Sequence, residues 1–202
     1  METSGLLAFV VFSLVGSFTP GPNVAIATAT AANFGFRATL PHIFGVPVGF
    51  STMVALAGLG VIGVLLALPA AAGAIKWAGV AYLLYLAWLI ARAGRATSDG
   101  PPALGSRPLT FLESALFQYA NPKAWMLTVA TAGTYMSGRG VAAHTAVACA
   151  VFAVACIASL VAWAWVGAAL REWLGVGRRR WWFNMAMGLS LAATALWMAV
   201  AT

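Results

Sequence analysis

The sequence predicts an all-α integral membrane protein of six transmembrane helices, built as two inverted three-helix repeats with helices 1 and 4 broken. Three observations predict it. First, of 202 residues 62% are hydrophobic and only 7% charged, with a mean hydropathy of +0.92, where a soluble domain carries about 25% charged residues. Second, the apolar residues fall into six runs, at 5–33, 39–68, 71–91, 111–136, 141–170 and 181–201, each long enough for the ~20 residues that a crossing needs. Third, the runs measure 29, 30 and 21 residues before the polar, proline-rich linker at 92–110 and 26, 30 and 21 after it. The chain therefore divides at its linker into a first repeat, 1–100, and a second, 101–202, within one membrane domain. Three spans per half is an odd number, so equivalent helices run in opposite directions, the plan of many secondary transporters.

The first run opens on Met-Glu-Thr-Ser without a basic segment, so it reads as a retained span and not as a cleaved signal. Midway it carries Thr19-Pro20-Gly21-Pro22-Asn23. Pro20 and Pro22 remove two backbone donors and push the preceding residues away from helix, and Gly21 adds a joint, so the helix breaks there. The second run holds Gly45-x-x-x-Gly49 with Pro47 between, a small-residue spacing that lets one helix approach another; the neighbour it predicts is the first span. The third run carries Trp77 beside Lys76 and ends before Arg92. In the fourth, Tyr119-Ala120-Asn121-Pro122-Lys123 reads as an asparagine N-cap with proline at N1, the start of a fresh half-helix about 15 Å into the bilayer. The sixth follows Arg178, Arg179 and Arg180 with Trp181 and Trp182, an interfacial aromatic pair.

Orientation comes from the basic residues. Eight arginines (37, 92, 95, 107, 171, 178, 179 and 180) fall in the first, third and fifth connections, against Lys76 and Arg139 on the other side. That asymmetry puts the odd connections in the cytoplasm and both termini outside, with anionic-lipid contact at the Arg178 cluster. The net charge of +7 thus reports topology. A nucleic-acid binder would gather it on one solvent-exposed face, so no nucleic-acid partner is expected.

The two breaks are the candidate site. Pro20, Gly21, Pro22 and Asn23 in the first span, with Asn121, Pro122 and Lys123 in the fourth, place two half-helix N-termini at midplane, a setting for a carboxylate. Lys123 has no acid within a turn, since Glu113 lies ten residues earlier. Two readings of it stand: snorkelling to the interface, or contact with an anionic substrate or with loop carbonyls. Catalytic residues, a metal site and a cofactor are not expected. No nucleophile–base or carboxylate pair is set by spacing. His42 and His144 stand alone near opposite membrane faces, without the neighbours of a metal site, and read as helix-end hydrogen-bonding groups, with gating or proton relay as the alternative. Cys149 and Cys156 lie seven residues apart on one helix, about 10 Å, too far for a disulfide.

The halves share landmarks. Pro22 lies 100 residues before Pro122, while Arg37 and His42 lie 102 before Arg139 and His144. With these motifs in view, the chain resembles the lysine-exporter superfamily, LysE/RhtB type, over essentially its full length. The resemblance rests on Thr19 to Asn23, Gly35-Phe36-Arg37, Gly45 with Gly49, Ala81-Tyr82-Leu83-Leu84-Tyr85-Leu86 before Arg92, and Asn121-Pro122-Lys123-Ala124. The Thr-Pro-Gly-Pro-Asn and Gly-Phe-Arg wording is nearest to its cysteine/O-acetylserine exporter branch. The resemblance implies export of amino acids or close derivatives across a bacterial inner membrane, driven by the proton gradient. Many relatives carry Asp where this chain has Asn23, so no carboxylate role is carried over to that position. The residues favour a small, neutral, zwitterionic substrate, because a dibasic one would want an intramembrane carboxylate. Three alternatives are of other kinds. A thiol-redox transporter needs cysteines on two facing helices, and both cysteines here share the fifth run; a metal-ion transporter needs a His- or acid-rich cluster; a non-transporting structural subunit has no use for broken helices and an intramembrane lysine.

Overall fold

The computed structural model describes residues 3–93, 107–136 and 140–200, and every regular element among them is helical. The expectations for Arg95, for the prolines at 101 and 102, for Arg139 and for residue 201 lie outside the described residues. In chain order the helices are α1 (Thr3–Phe18), α2 (Pro22–Phe34), α3 (Phe36–Gly58), α4 (Val61–Leu66), α5 (Pro69–Ala93), α6 (Phe111–Leu116), α7 (Pro122–Tyr135), α8 (Val141–Ala169), α9 (Arg171–Leu174) and α10 (Arg179–Val200), with a 3-10 turn, Phe117–Ala120, leading into α7.

Both breaks are present. Pro22 opens α2 and Pro122 opens α7, each at the first helical position, where the missing N–H costs nothing. The α1–α2 pair bends by 51° and, taken as one broken span, joins α3, α5, α8 and α10 as helices long and apolar enough to cross a membrane. The fourth run is cut by the 3-10 turn into pieces shorter than a crossing. The second run differs from its expected single span over 39–68. It stops at Gly58, because Gly60 takes a left-handed conformation (φ 79°) that ends the helix, and α4 starts afresh after it.

The long helices pair off, α3 on α8 and α5 on α10, while α1 and α2 lie on α8 and α6 and α7 lie on α3. Each long helix thus packs on the broken helix of the opposite half. Close approach comes from small residues. A Cβ at Gly45 would fall 2.4 Å from Phe111 O, and one at Gly49 would fall 2.1 Å from Ala115 O. The Gly45/Gly49 pair therefore seats α6, which corrects the expectation that it packs the second span on the first. The reason lies on α8, where Gly167 would meet Thr28 O at 2.3 Å and so takes the close contact with α2. That helix is enclosed: ten of its thirteen residues, seven of them Ala or Thr, are buried.

Among the described residues, arginines of the odd connections lie together at one end of the bundle. Arg107 shares a small cavity with Asn33, Phe34 and Ala93, and the Arg171 guanidinium lies 3.2 Å from where a Gly35 Cβ would stand. Arg92 covers Trp88 at 4.3 Å, Arg178 covers Trp181 at 5.2 Å and Arg179 covers Trp173 at 4.7 Å, which fits an aromatic belt at a membrane surface. Gly49→Val should lower stability by ~1–3 kcal/mol, because the obstacle is backbone and cannot rotate away. Gly133→Ala, where an added Cβ meets nothing within 4 Å, should leave the protein as stable or slightly more so. Thermal unfolding in detergent checks the pair, and equal melting temperatures would contradict this packing.

Candidate functional site

A helix broken inside an apolar bundle leaves carbonyls at the end of one half and N–H groups at the start of the next, and water is not there to take them. At the end of α1 three successive carbonyls have side-chain donors. Ser17 O accepts from Ser159 Oγ at 2.8 Å and Phe18 O from Trp163 Nε1 at 3.3 Å, both from α8. Thr19 O accepts from Lys123 Nζ, which reaches across from α7. The N-terminus of α2 is different. Its N-cap, Gly21, is fully extended and supplies no side-chain acceptor, so the first-turn N–H groups of Asn23 and Val24 are left for whatever lies before them.

At the second break Asn121 caps α7 as expected, its Oδ1 accepting the Lys123 backbone N–H at 3.1 Å. Tyr119 O accepts from Trp125 Nε1 at 2.8 Å. Upstream, Thr110 and Glu113 form a reciprocal capping box at the start of α6, and Arg107 ion-pairs with Glu113. The two breaks are joined by a pair of amides. Asn23 Nδ2 donates to Gln118 Oε1 at 2.9 Å, and Gln118 Nε2 donates to Asn23 Oδ1 at 3.1 Å and to Ser114 O at 2.9 Å. His42 lies behind this pair, 3.0 Å from Ser114 Oγ through Nδ1 and 3.2 Å from Asn23 O through Nε2. It is fully buried and ties α3 to α2 and α6, so the reading of it as a helix-end group is corrected. A side chain from α6 and a backbone carbonyl from α2 meet it. His144, by contrast, is only half-buried near the start of α8.

Between the breaks lies a cavity of about 40 Å³, room for roughly three waters at the ~10–15 Å³ each requires. Of the residues expected from sequence, Gly21, Asn23, Asn121 and Lys123 line it; Pro20, Pro22 and Pro122 shape the breaks without lining it. Ser17, Gln118 and Cys156 add polar atoms, and Phe50, Leu127 and Leu160 supply apolar wall. No Asp or Glu is among the described residues that line it. Sequence reasoning missed Gln118, Ser114 and the α8 donors. A glutamine in an apolar run three residues before the asparagine cap was the available signal for Gln118. Nothing in the sequence marks Ser159 or Trp163, whose role depends on which helix α8 meets. The cysteines are both free, and no cluster of metal-ligating side chains occurs among the described residues.

Apolar helices that open two broken segments onto one partly open cavity, with a few polar groups set in an apolar wall, are the architecture of a membrane transport protein. The chain belongs to the LysE type translocator family, whose model matches residues 14–202. It is therefore a translocator and not an enzyme. It is 32% identical over 136 residues, 67% of its own length and 68% of theirs, to the cysteine/O-acetylserine efflux proteins of Escherichia coli (strain K12) and Shigella sonnei (strain Ss046). No solved structure matches it.

Gln118→Ala should cost ~1–3 kcal/mol by leaving buried partners unpaired. Asn23→Ala added to it should cost clearly less than the sum of the two single changes. Thermal unfolding of both single variants and the double variant in detergent measures this coupling; strict additivity would mean that the amide pair does not act as a unit.

Proposed function

We propose that this translocator exports a small, neutral, zwitterionic amino acid or close derivative from the bacterial cytoplasm across the inner membrane, and that it binds the zwitterion at the two helix breaks. The single observation that carries the reading is the convergence on one acid-free cavity of an uncapped helix start at Asn23 and Val24, a lysine at Lys123 and the carbonyl end of α1. A carboxylate is suited to the first two, through oriented N–H groups and a cation. An ammonium is suited to the third. A second cationic group on the substrate would find no carboxylate there, which disfavours lysine and arginine. The cysteine/O-acetylserine efflux activity named for the relatives falls within this class.

The same reading takes the molecule as six spans in two inverted halves, 1–100 and 101–202, with the arginine-rich end in the cytoplasm and both termini outside. The exchange of partners between halves supports it, since α3 on α8 and α5 on α10 are each a pair of equivalent helices. Membrane lipids then contact the outward Trp–Arg pairs.

In proteoliposomes, counterflow of small neutral amino acids should exceed that of lysine or arginine at least tenfold; preferential dibasic transport would overturn the substrate class. The same vesicles with and without a pH gradient test the proton coupling that the family resemblance implies, and concentrative efflux indifferent to the gradient would remove proton antiport. Asn121→Ala, which weakens the α7 cap by ~1 kcal/mol, should reduce counterflow with little loss of inserted protein. Unchanged counterflow would count against these breaks as the site. For orientation, a cysteine placed at Thr202 should label in intact cells and one at Ser98 only after permeabilisation, and the reverse pattern would invert the topology.

A further inference from the structure

The three carbonyls that end α1 are not satisfied alike. Ser17 O and Phe18 O are held by Ser159 and Trp163, short or rigid side chains fixed on α8. Thr19 O is held instead by the flexible four-carbon arm of Lys123, a residue that itself lines the cavity beside Gly21. That arm lies across Gly21, with Cδ 3.0 Å and Nζ 3.4 Å from where a Gly21 Cβ would be, and it occupies space that an amino acid would need, since only about 40 Å³ is left. A substrate cannot enter with Lys123 in this place.

We propose that Lys123 is a tethered stand-in for the substrate's ammonium. In the empty protein its Nζ sits on Thr19 O; an arriving zwitterion puts its own ammonium on that carbonyl and turns Lys123 onto its carboxylate. The proposal rests on the zwitterion reading above and adds a selection rule to it. A lone cation at membrane depth is costly unless it is paired. A zwitterion brings both the replacement cation and the anion that the displaced lysine needs, so the cavity is as well paired loaded as empty. A primary amine without a carboxylate would put two ammonium groups in one small cavity and leave one unpaired. An N-acylated acid would offer the anion but nothing for Thr19 O. In the empty protein the ammonium of Lys123 already has an acceptor in Thr19 O.

The test compares ligand-induced thermal stabilisation of the detergent-purified protein by L-cysteine, by cysteamine, which lacks the carboxylate, and by N-acetylcysteine, which lacks the ammonium, all under reductant. The intact protein should bind cysteine at least tenfold more tightly than either analogue. In Lys123→Met, Thr19 O is left open and the competing cation is gone. The cysteine-to-cysteamine ratio should collapse at least tenfold, while Lys123→Arg keeps the original order. Gly21→Ala gives a second route, because its Cβ crowds the flexible Lys123 arm and shifts it without removing the charge; the cysteine-to-cysteamine ratio should fall while cysteine binding persists. A ratio unchanged in Lys123→Met or in Gly21→Ala, or tight cysteamine binding by the intact protein, would overturn the stand-in role. Absence of stabilisation of the intact protein by cysteine, alanine and serine alike would instead overturn the zwitterion reading and this proposal with it, a result visible before any variant is compared.

Discussion

A backbone that stops being helical inside an apolar bundle must find partners for its bare N–H and C=O groups in the protein itself. Most of the polar chemistry in this molecule follows from that requirement. Ser159 and Trp163 on α8, Trp125 and Asn121 on α7 and the arm of Lys123 each meet a specific backbone group exposed by a break. The exception is the start of α2, where the extended Gly21 leaves the first-turn donors uncapped. Of the two breaks, this is the one whose helix start has no side-chain cap, and its first turn faces the cavity.

The second requirement is close approach. Short amide and hydroxyl side chains reach one another only if the backbones nearly touch, and the glycines on α3, α8 and α10 make this so: Gly49 against Ala115, Gly167 against Thr28, Gly188 against Ala87. With the helices that near, Asn33 and Asn184 exchange hydrogen bonds of 2.6 and 3.0 Å between α2 and α10, as Asn23 and Gln118 do at the other end of α2. Two reciprocal pairs of this kind fix the register of α2 against its surroundings, which apolar contacts between Ala and Thr faces would leave loose.

Much of this was legible in the residues, and the reasons for the remainder are physical. Proline chemistry is local, so the breaks at Pro22 and Pro122 and the Asn121 cap could be read directly, as could the meeting of Gly21, Asn23, Asn121 and Lys123 from the repeat spacing. Helix neighbours are not local. The Gly45/Gly49 spacing announces a close contact but does not say with which helix, and the partner proved to be α6 and not the first span. His42 was misplaced for the same reason, because its depth depends on α2 and α6 closing over it. The stop at Gly60 was overlooked since the apolar run continues through it, and composition does not report a left-handed glycine. Glu113 carried a readable signal, the Thr-x-x-Glu pattern of a capping box, that hydropathy alone passes over.

The enclosure of α2 has a mechanical consequence. Thirteen residues make a rod of about 20 Å, shorter than the ~30 Å hydrocarbon core, and nearly all of its surface is covered by other helices. A membrane helix accommodates a change of bilayer thickness by tilting, and in a bilayer the outward faces of α5, α8 and α10 would be the ones to meet the lipid. The helix whose first turn lines the cavity between the breaks is thus shielded from direct lipid contact by its neighbours.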